Sequence, residues 1–533
     1  MNIQREFPVM AEQKILINGE WRKAKATDFF QAFNPSTGEK LSESYPISDW
    51  ADCDSALNAA QEAYREMKKL PRETIATFIE SYASKIEANA QALVEMANLE
   101  TGLPTNPRLA DVEIPRTTGQ LRQAAQAARE ASWTQPVIDT QNNIRSMLQS
   151  IGPVAVFGPN NFPFAFGSIS GGDFAAAIAA GNSVIAKAHP SHPGTTRLFA
   201  ELAQQAAQES GLPSGAVQLI YAMSNQSGLK LVGDSRIAAT GFTGSRPAGL
   251  ALKKAAEEAG KLIYLELSSV NPVVVLPGAL KEKGEAIAEE FSMSCLMAAG
   301  QLCTKPGLLI VEQSEQVESF VGAVTERFNQ GPIGTLLSAN SAEHILATSS
   351  DLVAAGASLL TDKAELASGR FCHSNTLLSV KGSSFISESQ TFQSEMFGNA
   401  SLIIISESTE QTTQILAELE GNLTGCVYSA SNGDDDAAYD AIIDTLTEKV
   451  GRVLNDKMPT GVAVSPAMNH GGPFPSAGHP GFTAVGLPAS IKRFAALKCY
   501  DNVRAHRLPE LLKDENSFEV WRQVDGKWTQ ASL

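Results

Sequence analysis

Four short stretches of this chain hold residue types in contexts suited to chemistry. Cys303, in Gly300-Gln-Leu-Cys-Thr-Lys-Pro-Gly307, follows the small-residue run Ala298-Ala-Gly300 and precedes a Pro-Gly break. That setting suits a sharp turn after a helix, where a thiolate can act as a nucleophile, although a free cysteine is most often a buried, inert thiol. Glu266, in Leu265-Glu-Leu-Ser-Ser-Val-Asn-Pro272, places a carboxylate inside an apolar, strand-like run. Burial without a partner raises a carboxyl pKa, as a general base working near neutrality requires; a salt-bridged strand end is the plainer alternative. Asn161 lies in Phe157-Gly-Pro-Asn-Asn-Phe-Pro163, a turn stiffened by a glycine and two prolines. Its amide could donate to an oxyanion or satisfy its own turn. Gly244, Ser245 and Gly249, in Phe242-Thr-Gly-Ser-Arg-Pro-Ala-Gly249, stand between an apolar segment and an Ala/Lys-rich helix. Glycines at such a junction offer backbone N–H groups to a phosphate, although the G-x-G-x-x-G spacing is absent.

These residues need a scaffold, and the apolar pattern supplies one. Between residues 151 and 310, short apolar runs (Val154–Phe157, Val184–Ala186, Val217–Ile220, Val273–Leu276) alternate with Ala-rich helical stretches and Gly/Pro turns. Strands spaced by helices imply crossover connections and a mostly parallel sheet covered on both faces. A second alternation runs from about Glu282 to Ala489, with runs at Leu308–Val311 and Ser401–Ile405. The expected class is α/β, with two such domains in series. Lys14–Asn18 reads as a strand turning at Gly19, and the apolar spacing from Asp52 to about Ser132 is helical. The polar tail, Ala495–Leu533, carries Trp521 and Trp528 and is expected to lie over its own surface or a second subunit.

The chain has 533 residues, enough for two or three domains with large cores. A net charge of −16 argues against a nucleic-acid partner and against an anionic membrane surface, both of which need clustered Lys and Arg. Met1–Gln13 contains no apolar leader segment, and no stretch approaches ~18 apolar residues. The six cysteines are scattered, with no C-x-x-C pair, which suits reduced thiols in a cytoplasmic protein. A metal site would have to be assembled from remote ligands, and none is expected.

Taken together and in order, Asn161-Phe-Pro163, Gly244-Ser245 with Gly249, Leu265-Glu-Leu267 with Asn271-Pro272, Gly300-Gln-x-Cys303 and Glu395-x-Phe-Gly398 resemble the aldehyde dehydrogenase superfamily. The resemblance covers about Ile15 to Val503 and extends to Asn18-Gly-Glu-Trp21 and Phe33-Asn-Pro-Ser-Thr-Gly-Glu39. It implies that Cys303 is the nucleophile and that Asn161, with the Cys303 backbone N–H, holds the oxyanion. It casts Glu266 as the base that activates water for thioester hydrolysis. Lys187 and Glu395 resemble ribose ligands, and Phe397 the residue beside the nicotinamide. The family fold implies a Rossmann-like cofactor domain (residues 1–139 and 151–268), an α/β catalytic domain (269–489) and a bridging segment (140–150 and 490–533). The last contains a small hairpin made by Ile144–Ser150 and a strand near Phe494–Cys499. The implied cofactor is NADP or NAD, the implied partner a small-molecule aldehyde, and the implied assembly a homodimer or homotetramer.

Several positions depart from the common family pattern. Asn160 stands where tryptophan is frequent, Ser268-Ser269 replace Gly-Gly, and Asn399 replaces proline. Lys187-Ala-His-Pro190 lacks the acidic residue that would bind the adenosine ribose and repel a 2′-phosphate, so NADP is permitted. Ser227 stands about where a related branch carries an arginine. With Asn469-His-Gly-Gly-Pro-Phe-Pro475 and the Val520–Gly526 tail, these departures resemble a branch containing α-ketoglutaric semialdehyde (2,5-dioxovalerate) dehydrogenases and a bacterial fatty aldehyde dehydrogenase. In that branch His470 resembles an active-site residue near the nucleophile; a solvent-exposed loop histidine is the plainer reading. His189 and His192 are expected to serve the turn after Lys187. The implied reaction is oxidation of 2,5-dioxovalerate to 2-oxoglutarate. The alternatives are a fatty aldehyde substrate, a CoA-acylating relative, and a relative that kept the fold without the chemistry.

Overall fold

The computed structural model describes residues 12–533. The reading of Met1–Gln13 as free of a leader therefore falls almost wholly outside the described residues. The helical stretch resolves into Trp50–Met67, Arg72–Ala88, Ala90–Thr101 and Ile114–Glu130. Asp49 caps the first by accepting from the N–H groups of Ala51 and Asp52, and left-handed Gly102 (φ 66°) ends the third. The i, i+3, i+4 stripe of Phe78, Ile79, Tyr82 and Ile86 is fully buried.

Two seven-stranded sheets form the body. The first runs in the order Leu262–Glu266, Ala239–Thr243, Val154–Phe157, Val184–Lys187, Val217–Ile220, Ile15–Ile17, Glu20–Arg22. Its first five strands are parallel, and the two N-terminal strands close it antiparallel, with Leu16 opposite Leu219. The second runs Ser358–Leu359, Thr376–Lys381, Ala400–Ser406, Leu308–Glu312, Pro272–Val275, Asn422–Tyr428, Val450–Asn455, all parallel except the edge strand Ser358–Leu359. Central strands such as Val154–Phe157 and Pro272–Val275 are buried along their whole length, which is why they read as unbroken apolar runs. One grouping changes. The run at Val273, counted above with the first alternation, enters the second sheet, because Asn271 takes a left-handed backbone (φ 46°) and turns the chain out of the first.

A third sheet pairs Ile144–Ser150 with Ala495–Asp501 antiparallel, Ser150 opposite Ala495. The tail folds onto its own chain: Arg522–Val524 and Lys527–Thr529 extend this sheet through Val137–Asp139. No helix of the described residues is long and apolar enough to cross a membrane.

In the first sheet, chain order reverses at Val154–Phe157, whose neighbours are Val184–Lys187 on one side and Ala239–Thr243 on the other. Ligands of doubly wound sheets bind beyond the carboxyl ends of the strands at such a switch point. The turn carrying Asn161 and the loop carrying Gly244 and Ser245 both leave from it.

Candidate active site

A cleft of about 540 Å³ opens at that point and extends to the second sheet. Its lining includes Asn161, Gly244, Ser245, Glu266, Cys303, Glu395 and Phe397, so seven of the residues singled out from the sequence meet in one place. Lys187 ends its strand in register with Phe157 and Ile220 and is half-buried; burial lowers its pKa from the usual 10.5 to about 8. Gly249 sits in a packing seam. A Cβ there would meet Leu267 Cδ2 at 2.4 Å, so its bare backbone lets the helix Arg246–Glu258 approach the strand of Glu266.

Cys303 is positioned by unusual backbone. The helix Pro277–Leu296 ends, and Ala298 (φ 51°), Ala299 (φ 54°) and Gly300 (φ 69°) follow in left-handed conformation. Such a run costs energy for the alanines and persists because packing enforces it. A Cβ on Gly300 would lie 2.0 Å from the Gly398 carbonyl oxygen, which brings the Cys303 loop against the loop of Glu395 and Phe397. Lys305 locks the same junction, donating from its buried Nζ to the carbonyls of Met396 (2.8 Å) and Ala400 (2.6 Å). Asn271 Nδ2 donates to the Cys303 and Lys305 carbonyls, both at 2.9 Å.

His470 lies between Cys303 and Glu266. Its Nε2 is 3.4 Å from Cys303 Sγ and 3.1 Å from Glu266 Oε1. His470 is 1% exposed and Glu266 2%, so a solvent-facing loop histidine is ruled out. Burial alone would lower the His470 pKa, but Glu266 and Cys303 outweigh it and raise it to about 10. Both contacts favour the protonated form of the ring. Glu266 Oε2 is buried with no partner. Backbone pairing sets this contact: Leu267 N–H donates to the Ser476 carbonyl, and Gly478 N–H to that of Leu265. Gly471 and Gly472 permit it, since Cβ atoms there would meet the Phe482 and Asn422 carbonyl oxygens at 2.2 Å. The ligand atoms of Glu266, Cys303 and His470 all lie within 4.8 Å of one another, the kind of remote grouping that a metal site in this chain would need.

The Asn161 side chain is 6% exposed and donates one N–H to the Gln301 carbonyl at 2.9 Å, leaving its second N–H uncommitted. Burial raises the Glu395 pKa to about 7, against the pull of Lys305 and of hydrogen bonds from Ser269 and Ser268. His192 Nε2 bonds the Pro159 carbonyl at 2.9 Å, tying the turn after Lys187 to the turn of Asn161, and burial lowers its pKa to about 4. His189 accepts from the Ser191 N–H at 3.1 Å and also reaches the cleft. Asn399 has a role where proline would have none: its Nδ2 donates to the His373 carbonyl and to Asn375.

The cleft also fits a dinucleotide. The helix Arg246–Glu258 begins at its wall, and the Ser245 hydroxyl makes no capping bond, so the first-turn donors stay open to an anion. Lys305, and Asn422, whose Oδ1 accepts from the Val270 and Asn271 N–H groups at 2.8 and 3.1 Å, were assigned no role from the sequence. The Asn271-Pro272 pair after the Glu266 strand is the one local signal that marks such a role.

The aldehyde dehydrogenase family pattern matches residues 21–476. The α-ketoglutaric semialdehyde dehydrogenase 2 of Azospirillum brasilense is 35% identical over 518 residues, 93% of this chain and 96% of that protein. The α-ketoglutaric semialdehyde dehydrogenase of Acinetobacter baylyi is 36% identical over 539 residues, 97% of this chain and 99% of that protein. Among solved structures, 3,6-anhydro-L-galactose dehydrogenase shares the fold with a TM-score of 0.80 at 21% identity, over 92% of this chain and 99% of that one. The NAD+ complex of an aldehyde dehydrogenase from Bacillus cereus gives 0.78 at 22% identity, over 92% and 96%. A family pattern spanning most of the chain, near-full-length relatives and the shared fold make this protein a member of the aldehyde dehydrogenase family, an oxidoreductase that uses NAD or NADP and acts on small-molecule aldehydes.

Proposed function

We propose that the enzyme oxidises 2,5-dioxovalerate to 2-oxoglutarate through a thiohemiacetal and a thioester on Cys303. The substrate follows from the names of the two near-full-length relatives. The chemistry rests on one observation, the chain of contacts from Cys303 Sγ through His470 Nε2 to Glu266 Oε1. A protonated imidazole beside the sulfur stabilises the thiolate, which adds to the aldehyde carbon. The oxyanion that forms takes the second Asn161 N–H and the Cys303 backbone N–H. A bound nicotinamide dinucleotide supplies the hydride acceptor, and Lys187, Gly244, Ser245, Glu395 and Phe397 would hold it, with Gly249 letting the helix pack close. Loss of hydride from the thiohemiacetal leaves the thioester. Glu266 Oε2 takes a proton from the water that attacks it, the acid departs, and the sulfur returns to its pairing with His470.

Glu266 beside the sulfur also favours hydrolysis over transfer to CoA, because a carboxylate there activates water. Residues 1–139 with 151–268 act as the cofactor domain and 269–489 as the catalytic domain. Residues 140–150 and 490–533 act as a bridge in a homodimer or homotetramer, whose interface would cover the exposed Leu497 and Trp528 of the third sheet. The protein works in the cytoplasm. Kinetics for 2,5-dioxovalerate and for aliphatic aldehydes up to decanal, with NAD and NADP, test the substrate. Higher kcat/KM for 2,5-dioxovalerate is expected; a preference for decanal replaces it with a fatty aldehyde.

A further inference from the structure

We infer that Cys303, His470 and Glu266 form a binding site for a thiophilic divalent cation of the Zn²⁺ class, and that the bound ion silences the enzyme reversibly. The ion is an inhibitor and takes no part in the reaction. The site stands on geometry; its effect on turnover rests on the roles proposed above for Cys303 and Glu266.

Among the described residues this is the one group of three or more His, Cys, Asp and Glu side chains whose ligand atoms all lie within 4.8 Å of one another. His470 Nε2 is 3.4 Å from Cys303 Sγ and 3.1 Å from Glu266 Oε1. A Zn–S bond of about 2.3 Å and Zn–N or Zn–O bonds of about 2.0–2.1 Å, at a tetrahedral angle, set neighbouring ligand atoms about 3.3–3.6 Å apart. The ring and the sulfur already stand at that spacing, and the carboxylate needs only a small shift to reach it. Three protein ligands leave a fourth position open, as in zinc sites that exchange a water. Cys303 and Glu266 line the cleft, which supplies that water.

The ligands are also held in place. His470 donates its backbone N–H to Thr483 Oγ1 and accepts at its carbonyl from the Ala484 N–H, both at 2.9 Å. The Phe166 ring packs on the imidazole with 5.6 Å between centroids. Glu266 ends the strand Leu262–Glu266, and its Oε2 is buried with no partner. An unsatisfied buried oxygen is costly, and a cation on the carboxylate removes that cost. On binding, the Nε2 lone pair passes to the metal and any proton there leaves to solvent. The thiolate and the carboxylate then match the two positive charges of the ion. Sulfur and nitrogen donors select Zn²⁺, Cd²⁺ or Co²⁺ over Mg²⁺ and Ca²⁺, which take oxygen ligands. With the sulfur and the carboxylate both committed to the ion, neither attack on the aldehyde nor activation of water proceeds.

The test titrates Co²⁺ into the chelator-treated full chain, because cobalt bound to a thiolate absorbs in the near ultraviolet. Wild type and Cys499→Ser, which removes the exposed thiol, should each bind one ion per chain with that band. Cys303→Ala should lose the band. His470→Gln and Glu266→Gln should each weaken binding at least about tenfold, no less than the loss of an outer partner of a metal ligand. In the wild type, Zn²⁺ should displace Co²⁺, shield Cys303 from iodoacetamide and stop aldehyde oxidation. EDTA should reverse all three, and Mg²⁺ should cause none of them. The shielding assay needs no variant, so it decides the matter even where a substitution unfolds the chain. The site is overturned by a band that persists in Cys303→Ala, or by an affinity untouched in both His470→Gln and Glu266→Gln. It is equally overturned if Cys303 is alkylated at the same rate with and without Zn²⁺. Zn²⁺ bound at these residues with turnover unimpaired would keep the site, overturn the silencing and remove the roles proposed for Cys303 and Glu266.

Discussion

The two large sheets meet the cleft with opposite ends. The first presents the carboxyl ends of its strands, from which Asn161, Lys187, Gly244 and Glu266 come. The second presents amino ends: Cys303 precedes Leu308–Glu312, and Glu395 and Phe397 precede Ala400–Ser406. At the carboxyl end of a parallel strand the next helix begins, so free N–H groups and the positive end of the dipole face the ligand. At the amino end the previous helix has finished. Cys303 follows the helix Pro277–Leu296 and three left-handed residues, so its own chain offers no helix N-terminus to favour a thiolate. The cation must be a side chain, and His470 brings it from a remote loop. The first sheet therefore adds open backbone donors to side chains such as Lys187, whereas a Cys303 thiolate depends on a placed side chain alone.

That contrast can be broken at graded points. Cys303→Ala should abolish aldehyde-dependent NAD(P)H formation by about 10⁴-fold or more, read as initial rate; comparable turnover removes the thiol from the mechanism. His470→Gln should slow both alkylation of Cys303 by iodoacetamide at pH 7 and turnover by about 10²-fold. An unchanged alkylation rate would mean that the thiolate needs no side-chain cation. In Glu266→Gln, stopped-flow absorbance should retain a burst near one NAD(P)H per site while the steady state slows by about 10²-fold. Loss of the burst would move Glu266 to the first half of the reaction.

Smaller effects probe the scaffold and the cofactor side. Gly300→Ala forces a Cβ to within 2.0 Å of the Gly398 carbonyl oxygen, in left-handed backbone. A loss of about 2–4 kcal/mol in urea unfolding is expected. Burial holds the Lys187 pKa at about 8, so its charge is present below that pH and lost above it. KM for the cofactor should then rise several-fold between about pH 7 and pH 9, and Lys187→Met should flatten the rise while raising KM throughout. A pH-independent KM in the wild type would take Lys187 out of cofactor binding.

Much of this was legible in the chain. The apolar runs and their spacing by helices marked the parallel strands, because a strand buried on both faces needs unbroken apolar sequence. A sharp turn before Cys303 was legible in Ala298-Ala-Gly300, but the left-handed backbone of both alanines was not, since only the glycine escapes the Cβ penalty there. The place of the Val273 strand in the second sheet was not legible from periodicity, which reports burial and not which neighbour does the burying; only the family resemblance, with its domain change at residue 269, pointed to it. Gly249 likewise reads as a phosphate-loop glycine in one dimension and as a packing glycine in three.

The sequence by itself determined the α/β class and singled out Cys303 and Glu266 as candidate nucleophile and base, with the loops that frame a dinucleotide, because each is marked by residues near one another in the chain. Only the tertiary structure decided that His470, 167 residues from Cys303 and 204 from Glu266, would touch both. Contacts at that range depend on how two sheets and a glycine-rich loop pack together, and burial in that packing sets which charges are paired and which groups keep their protons.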